Sequence, residues 1–445
     1  MSNLPSDWSI AVLRSAADST PESFIDGDWI EAPYITDKGI RLIQTGNIGR
    51  SSFIDKSDTK KYISLASFRL LNCKWVNAGD LLICRLADPI GRACEIPPAV
   101  GDAITSVDCT IFRVAASRFN KRFVLHWLNS DENLKNAADN AAGSTRSRIS
   151  RSNLGKLPIP QPNLNEQGQI AQILDTLDTV IHETEAIIAK RKAVKQGLLH
   201  DLLKRGIDAN GELRPPQSAA PHLYKQSPLG WIPNEWEVRP LSSCIASLDA
   251  GVSVNSEDRP HGASEIGVLK TSALSQGVFH PDQNKTVVAK EVRLAREPVE
   301  GDSILVSRMN TPQLVGASCY VAEPWPTLFL PDRIWQLKKT APDSVHMRWL
   351  SYVFLTSNFR AYVEVHATGT SGSMKNLPKS RLREMPVAFP NLDEQMLIAG
   401  CLAKADDVVT SEAMQLEKLT AEKSGLMDDL LTGRVRVTPL LEAAP

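Results

Sequence analysis

The chain has 445 residues, 42% hydrophobic and 23% charged, the profile of a globular protein with room for two or three domains. A net charge of −1 excludes a globally basic nucleic-acid binder, so any such binding must rest on local positive charge. Seven cysteines, an odd number without a CxxC pair, argue against a disulfide framework or a zinc ribbon and predict buried thiols in a reducing cytosol.

No charged-then-apolar leader opens the sequence, and no run of about 18 apolar residues occurs, so a cytoplasmic location without a membrane partner is expected. The motif Leu4-Pro5-Ser6-Asp7-Trp8 stands near the start of the sequence. Short strand signals bounded by turn residues follow: Ile40–Ile43 before Thr45-Gly46-Asn47, Leu81–Cys84 between Gly79-Asp80 and Arg85, and Thr110–Val114. A helix is predicted over 118–128. Residues 140–165 then carry Arg146, Arg148, Arg151 and Lys156 with no acid, opening on the small residues Ala142-Gly143-Ser144-Thr145.

Residues 164–205 read as one long helix. Apolar positions 170, 174, 177, 181, 188, 198 and 202 follow the spacing of a coiled-coil seam, which Thr184, Arg191 and Lys195 interrupt. Pro162, Asn163 and Glu166 supply a start and Gly206 a stop, for a rod of roughly 60 Å. The segment Asp208–Gly230, rich in Pro and Gly, reads as an inter-domain crossing.

The pattern then begins again. Ile232-Pro233-Asn234-Glu235-Trp236 repeats the opening 228 positions on, and Pro390–Leu431 matches Pro162–Leu203 without a gap at 18 of 42 positions. Gly301–Arg308 resembles Gly79–Arg85 with one residue inserted. Between these anchors the halves differ. Strands are predicted at Val268–Lys270, Ser303–Val306 and Arg333–Leu337, and a helix over 346–356. Residues 365–383 carry Lys375, Lys379, Arg381 and Arg383 with no acid, opening on Thr368-Gly369-Thr370-Ser371-Gly372-Ser373. The second long helix runs over 392–433 and is interrupted by Glu412 and Lys423.

Two matched basic stretches ahead of two matched helices suit a partner with two ends, duplex DNA above all. Small residues admit backbone N–H groups to phosphates, and the flanking Lys and Arg neutralise them. Asn47 could read adenine and Lys270 guanine, or both could be plain turn residues. Arg85 and Arg308 either touch DNA or form internal ion pairs, and Trp8 and Trp236 are expected as core anchors. No phosphate loop, GxGxxG, GxSxG or HExxH motif occurs.

These motifs together resemble the specificity subunit of type I restriction-modification systems. The resemblance rests on the Leu/Ile-Pro-x-x-Trp openings, the Gly-Asp strands ending at Arg85 and Arg308, and the Pro-x-Leu-x-Glu-Gln-x-x-Ile-Ala runs at 162–171 and 390–399. The endings Gly197–Leu203 and Gly425–Gly433 complete it. It implies an α+β fold: two globular α/β target-recognition domains with β-rich cores, separated by two long helices packed as an antiparallel coiled coil with pseudo-twofold symmetry. The implied boundaries are 1–161 and 231–389 for the recognition domains, 162–206 and 390–433 for the helices, 207–230 for a linker and 434–445 for a tail.

The implied role is a non-catalytic reader of a bipartite, asymmetric DNA sequence. The implied partners are double-stranded DNA, two methyltransferase subunits carrying S-adenosylmethionine, and restriction subunits using ATP and Mg. No cofactor, metal or catalytic residue is expected on this chain. The candidate DNA-binding residues are Thr45, Asn47, Arg85, Ser144, Thr145, Arg146, Arg148, Arg151, Lys270, Thr271, Arg308, Thr370, Ser373, Lys375 and Lys379. Two alternatives stay open, a stand-alone DNA-modifying enzyme and a coiled-coil scaffold that binds only proteins.

Overall fold

The computed structural model describes residues 4–437 except 87, 144, 145 and 370–373, and the side chain of Gln276. The chain divides into two compact units, Met1–Ile187 with Glu412–Pro445, and Ile188–Ser411. Each holds one α+β lobe and part of both long helices.

Unit 1 builds two four-stranded sheets. One orders β2 (Phe24–Asp26), β9 (Cys109–Phe112), β6 (Leu81–Cys84) and β7 (Ala93–Glu95), all antiparallel. The other orders β3 (Ile35–Thr36), β5 (Lys61–Ile63), β4 (Ile40–Ile43) and β8 (Ala103–Thr105), with β4 and β8 parallel. A pair, β1 (Ser9–Val12) with β10 (Pro158–Gln161), ties the opening to the run-up to the long helix. The short helices are α1 (Leu65–Leu70), α2 (Lys121–Leu128), α3 (Asp131–Asp139) and α4 (Arg151–Lys156), with α2 to α4 capped by Asn120, Ser130 and Ser150. Strand β6 is apolar throughout because both its faces are covered. Leu81 and Ile83 pack with the helices, whereas Leu82 and Cys84 pack into a second cluster with Ile111. That is the two-residue period of a strand.

Unit 2 repeats the plan. Its first sheet orders β14 (Ile245–Ala250), β23 (Ile334–Lys339), β19 (Ser303–Ser307) and β21 (Ser318–Val321). Its second orders β15 (Ser256–Glu257), β17 (Asn284–Val287), β16 (Gly267–Leu269), β22 (Trp325–Phe329) and β18 (Pro298–Val299), again with one parallel pair, β16 with β22. The tying pair is β13 (Glu237–Pro240) with β25 (Pro386–Phe389), in the register of β1 with β10. A small pair joins β20 (Met309–Asn310) to β24 (Lys375–Asn376). Helices α6 (Met347–Val353), α7 (Ser357–His366) and α8 (Lys379–Glu384) correspond to α2, α3 and α4.

The stretch read as an inter-domain crossing is folded. It holds the hairpin β11 (Tyr224–Ser227) with β12 (Gly230–Pro233), and the Tyr224 hydroxyl donates to the Pro215 carbonyl at 2.6 Å. Its Pro and Gly residues shape turns within unit 2 rather than a free linker.

The long helices are α5 (Leu164–Arg205) and α9 (Leu392–Leu431). In unit 1, Ile170 and Leu174 share a core with Leu430 and Leu431, and Lys423 of α9 pairs with Asp178 of α5. In unit 2, Leu199 and Leu202 share a core with Ile398 and Leu402, and Lys195 pairs with Asp406. In each unit, numbers rise along one helix as they fall along the other, so the two run antiparallel. The lysines that break the apolar seam therefore each meet an aspartate on the facing helix. Thr184, another break, is buried and returns its hydroxyl to the Val180 carbonyl at 2.8 Å. The seam also passes through Leu199 and leaves Leu198 exposed, one position off the expected phase.

The repeated hexapeptide Pro-Asn-Leu-Asn/Asp-Glu-Gln is a joint. Asn163 and Asn391 cap the helices by accepting the Glu166 and Glu394 N–H groups, each at 2.9 Å. Gln167 and Gln395 accept the backbone N–H of Asn120 at 2.7 Å and of His346 at 2.9 Å, the N-caps of α2 and α6. Glu166 accepts the Trp8 indole N–H at 3.0 Å and Arg436 at 2.7 Å. Glu394 accepts the Trp236 indole N–H at 3.2 Å and pairs with Arg214. The two tryptophans are thus buried anchors with satisfied N–H groups. Gly206 and Gly433 end the helices with φ of +67° and +72°. A Cβ at Gly206 would lie 2.1 Å from a Glu394 oxygen, and one at Gly433 2.6 Å from Pro5, so both positions require glycine.

Candidate nucleic-acid interface

The two basic stretches adopt one local structure. In unit 1, Ala142 and Arg148 exchange backbone hydrogen bonds of 3.0 and 2.9 Å. In unit 2, Thr368 and Asn376 exchange two of 2.8 Å. Each bridge closes a loop that leads into a one-turn-and-a-half helix, α4 or α8, whose first residue is Arg151 or Lys379. The loop residues Ser144, Thr145, Thr370 and Ser373 lie outside the described residues.

Arg146 is exposed and its side chain meets no partner among the described residues, and the same holds for Lys379. Lys375 rests its ammonium on the Gly369 carbonyl at 3.1 Å. Arg148 pairs with Asp108 at 2.8 Å, and Arg151 stands 4.0 Å from Asp26. Both are about half exposed, so both are within reach of a ligand.

Two expected DNA contacts are corrected. Asn47 is buried, its side-chain oxygen accepting the Gln44 N–H at 3.0 Å and its amide donating to the Ile54 carbonyl at 2.8 Å. It locks the turn Thr45–Asn47 and has no edge left for a base. Arg85 is 2% exposed, pairs with Asp26 at 3.0 Å, and donates to the carbonyls of Ile149 and Val107. It is the internal ion pair. Arg308 follows the equivalent strand without a carboxylate and lies over the Trp335 ring at 5.8 Å.

Thr45 is half-buried, and its carbonyl accepts from Arg92 at 3.0 Å. Thr271 opens a turn over Thr271–Gly277 just after Lys270. Lys270 approaches Asp258 at 3.1 Å, and Lys285 approaches the same carboxylate at 3.3 Å. Hydrogen bonds from the two ammonium groups hold the Asp258 carboxyl below the usual range. Lys285 was not legible as a site residue. It reaches this cluster because it pairs across the hairpin with Val268.

One group of metal-ligand residues exists among the described residues: His126, Asp175 and Asp178. Arg122 donates to Asp175 at 2.6 Å and Lys423 pairs with Asp178, so both carboxylates are already neutralised. The cluster reads as an ion-pair network. Burial opposes ionisation of Asp175, but hydrogen bonds from His126 and Arg122 outweigh it and bring its carboxyl to about 2. The expected buried thiols are present: six of the seven cysteines are buried and none is bridged, with Cys401 exposed. Burial pushes the Cys94 thiol up to about 12. No helix among the described residues is long and apolar enough to cross a membrane.

Residues 34–192 match the family model of the type I restriction modification DNA specificity domain. The type I restriction enzyme EcoEI specificity subunit of Escherichia coli is 27% identical over 172 residues, 38% of this chain and 29% of that protein. The MjaVIII specificity subunit of Methanocaldococcus jannaschii is 23% identical over 289 residues, 64% of this chain. The chain thus spans 29% and 63% of the length of these two relatives. The crystal structure of the type I restriction-modification S subunit from M. genitalium superposes with a TM-score of 0.56 at 16% identity, covering 96% of both chains, which is a shared fold. With two α+β units, paired long helices and a specificity-domain match over residues 34–192, the chain is similar to type I restriction-modification specificity subunits in fold and, over that segment, in sequence.

Proposed function

We propose that this chain is the DNA sequence-recognition subunit of a type I restriction-modification complex. Each unit reads one half of a bipartite, asymmetric duplex target. The long helices dock two methyltransferase subunits and, through the complex, the restriction subunits. The chain is the non-catalytic reader; S-adenosylmethionine belongs to the methyltransferase, and ATP and Mg to the restriction subunit.

The observation that carries this reading is one polar edge recurring in two otherwise different units. A bridge-closed loop bearing Arg146 or Lys375 runs into a helix that starts on Arg151 or Lys379. Exposed guanidinium and ammonium groups such as those of Arg146 and Lys379 match what phosphates require. Arg148 flanks the first loop. Ser144, Thr145, Thr370 and Ser373 belong to the same loops, and Thr45, Lys270, Thr271 and Arg308 are the candidates for base edges.

Arg146→Ala and Lys375→Ala, each in the assembled complex, are expected to weaken binding of the target duplex and to lower its salt slope by about 1. An unchanged slope in both would remove the loops from the interface. Mapping methylated adenines in DNA modified by the complex reports both half-sites and the gap, and an uninterrupted target would overturn the bipartite reading. Lengthening both long helices by four residues, about one turn, is expected to lengthen the preferred gap.

A further inference from the structure

The two units share hydrogen bonds closely enough to be compared residue by residue. Arg85 donates its N–H to the Asp108 carbonyl at 2.8 Å and accepts the Ile149 N–H at 3.0 Å. Arg308 donates its N–H to the Arg333 carbonyl at 3.0 Å and accepts the Leu377 N–H at 2.8 Å. Strand register agrees, since Cys84 faces Cys109 and Ser307 faces Ile334. Asp108 and Arg333 therefore hold one position. Arg148 and Asn376, which close the two loops, hold another. Asp26 faces Thr110 and Ala250 faces Trp335, so Asp26 corresponds to Ala250.

In unit 1 this edge holds Arg85, Arg148 and Arg151 against Asp26 and Asp108, and every arginine lies within 4.0 Å of a carboxylate. At the same positions unit 2 holds Arg308, Asn376, Lys379, Ala250 and Arg333, so both acids are gone and one has become a cation. Arg333 is exposed on a turn. Its side chain makes no ion pair or hydrogen bond among the described residues, not even with Asp332 beside it. Arg308, Lys379 and Arg333 make no ion pair among the described residues, so a bound anion would give them the counter-charge that the acids supply in unit 1. No neighbour fixes the plane of the Arg333 guanidinium. That suits a contact to a point charge better than the oriented two-bond reading of a base.

We infer that Arg333 neutralises a backbone phosphate of the DNA half-site read by unit 2. This rests on the DNA-reading role proposed above. In unit 1 the same position is Asp108, which pairs with Arg148 and offers a phosphate no positive charge.

The test is the salt dependence of duplex binding by the assembled complex. Arg333→Ala should lower the slope by about 1, so that between about 50 and 200 mM salt the unaltered complex loses roughly three- to fourfold more affinity than the variant. The weakening should be equal for the target and for duplexes substituted within the half-site. Arg333→Lys, which keeps the charge, should retain the slope. The double change Arg333→Asp with Asn376→Arg, which installs the ion pair of unit 1, should lose it while melting as the unaltered chain does. An unchanged slope in Arg333→Ala, a slope lost in Arg333→Lys, or a loss confined to one base pair of the target each overturns the phosphate assignment. Should the unaltered complex itself bind duplex without salt dependence, the DNA-reading role fails instead.

Discussion

The joints where each lobe meets the long helices are nearly alike in the two units, whereas the polar edges beside β6 and β19 carry different charge. At the joints, Trp8, Glu166 and Arg436 answer to Trp236, Glu394 and Arg214. At the edges, an aspartate in one unit stands where the other has an arginine. The difference follows from burial. Glu166 and Glu394 are 1% and 5% exposed, so each needs its full set of partners, and losing its arginine would leave a buried carboxylate without a counter-charge. Arg333 and Arg148 face solvent, where a change of charge costs the core almost nothing and alters only what can bind.

The largest expected effect tests the joints. Glu394→Ala should destabilise the protein by about 3–5 kcal/mol, because Arg214 has a side chain only 9% exposed and would keep only the distant, exposed Glu235 at 3.7 Å. Glu166→Ala should cost less, about 1–3 kcal/mol, because Arg436 is 30% exposed and also pairs with Asp7 at 2.8 Å. Chemical denaturation of both variants checks this, and equal losses would break the distinction. Leu174→Ala and Leu402→Ala, at equivalent fully buried positions, should each cost about 2–5 kcal/mol and resemble one another. Widely different losses would mean that the two helix-pair cores are not equivalent.

A smaller effect separates the units by pH. Asp175 of unit 1 corresponds to Ala403 of unit 2. Its carboxyl is depressed to about 2, so it contributes stability above its ordinary value of 3.8 and loses that contribution as the pH falls between them. Its side chain is 34% exposed, which limits the contribution to about 1 kcal/mol. The urea midpoints of the unaltered chain and Asp175→Asn should therefore differ at pH 7 and converge toward pH 2; a constant gap would refute the assignment. Smallest of all, Lys195→Met and Lys423→Met should each change stability by less than about 1 kcal/mol, since partly exposed ion pairs contribute little.

Much of the frame was legible because it is written twice. The repeat located both long helices, their asparagine caps and their glycine stops, and the strands Ile40–Ile43 and Leu81–Cys84 stand where their turn residues placed them. The slip from Leu198 to Leu199 was not legible, because both are leucines and only the partner helix decides which one turns inward. Arg214 and Arg436 were missed because they act on carboxylates 180 and 270 positions away. Arg85 and Asn47 looked like DNA contacts because type and position alone do not tell an exposed side chain from a buried one. The polar segment before β11 looked like a crossing because turn residues mark bends whether or not the chain between them is packed.

The glycines that end the long helices have a mechanical corollary. Helix α5 delivers Gly206 to the carboxylate that opens α9, and α9 delivers Gly433 to the pocket of Pro5 and Trp8 beside the carboxylate that opens α5. Each glycine is thus seated by contacts within its own unit. Adding a turn to one helix alone would carry its last residue about 5.4 Å beyond its seat. An insertion in either helix is therefore felt first at its terminal glycine, where a displaced backbone has no room to shift.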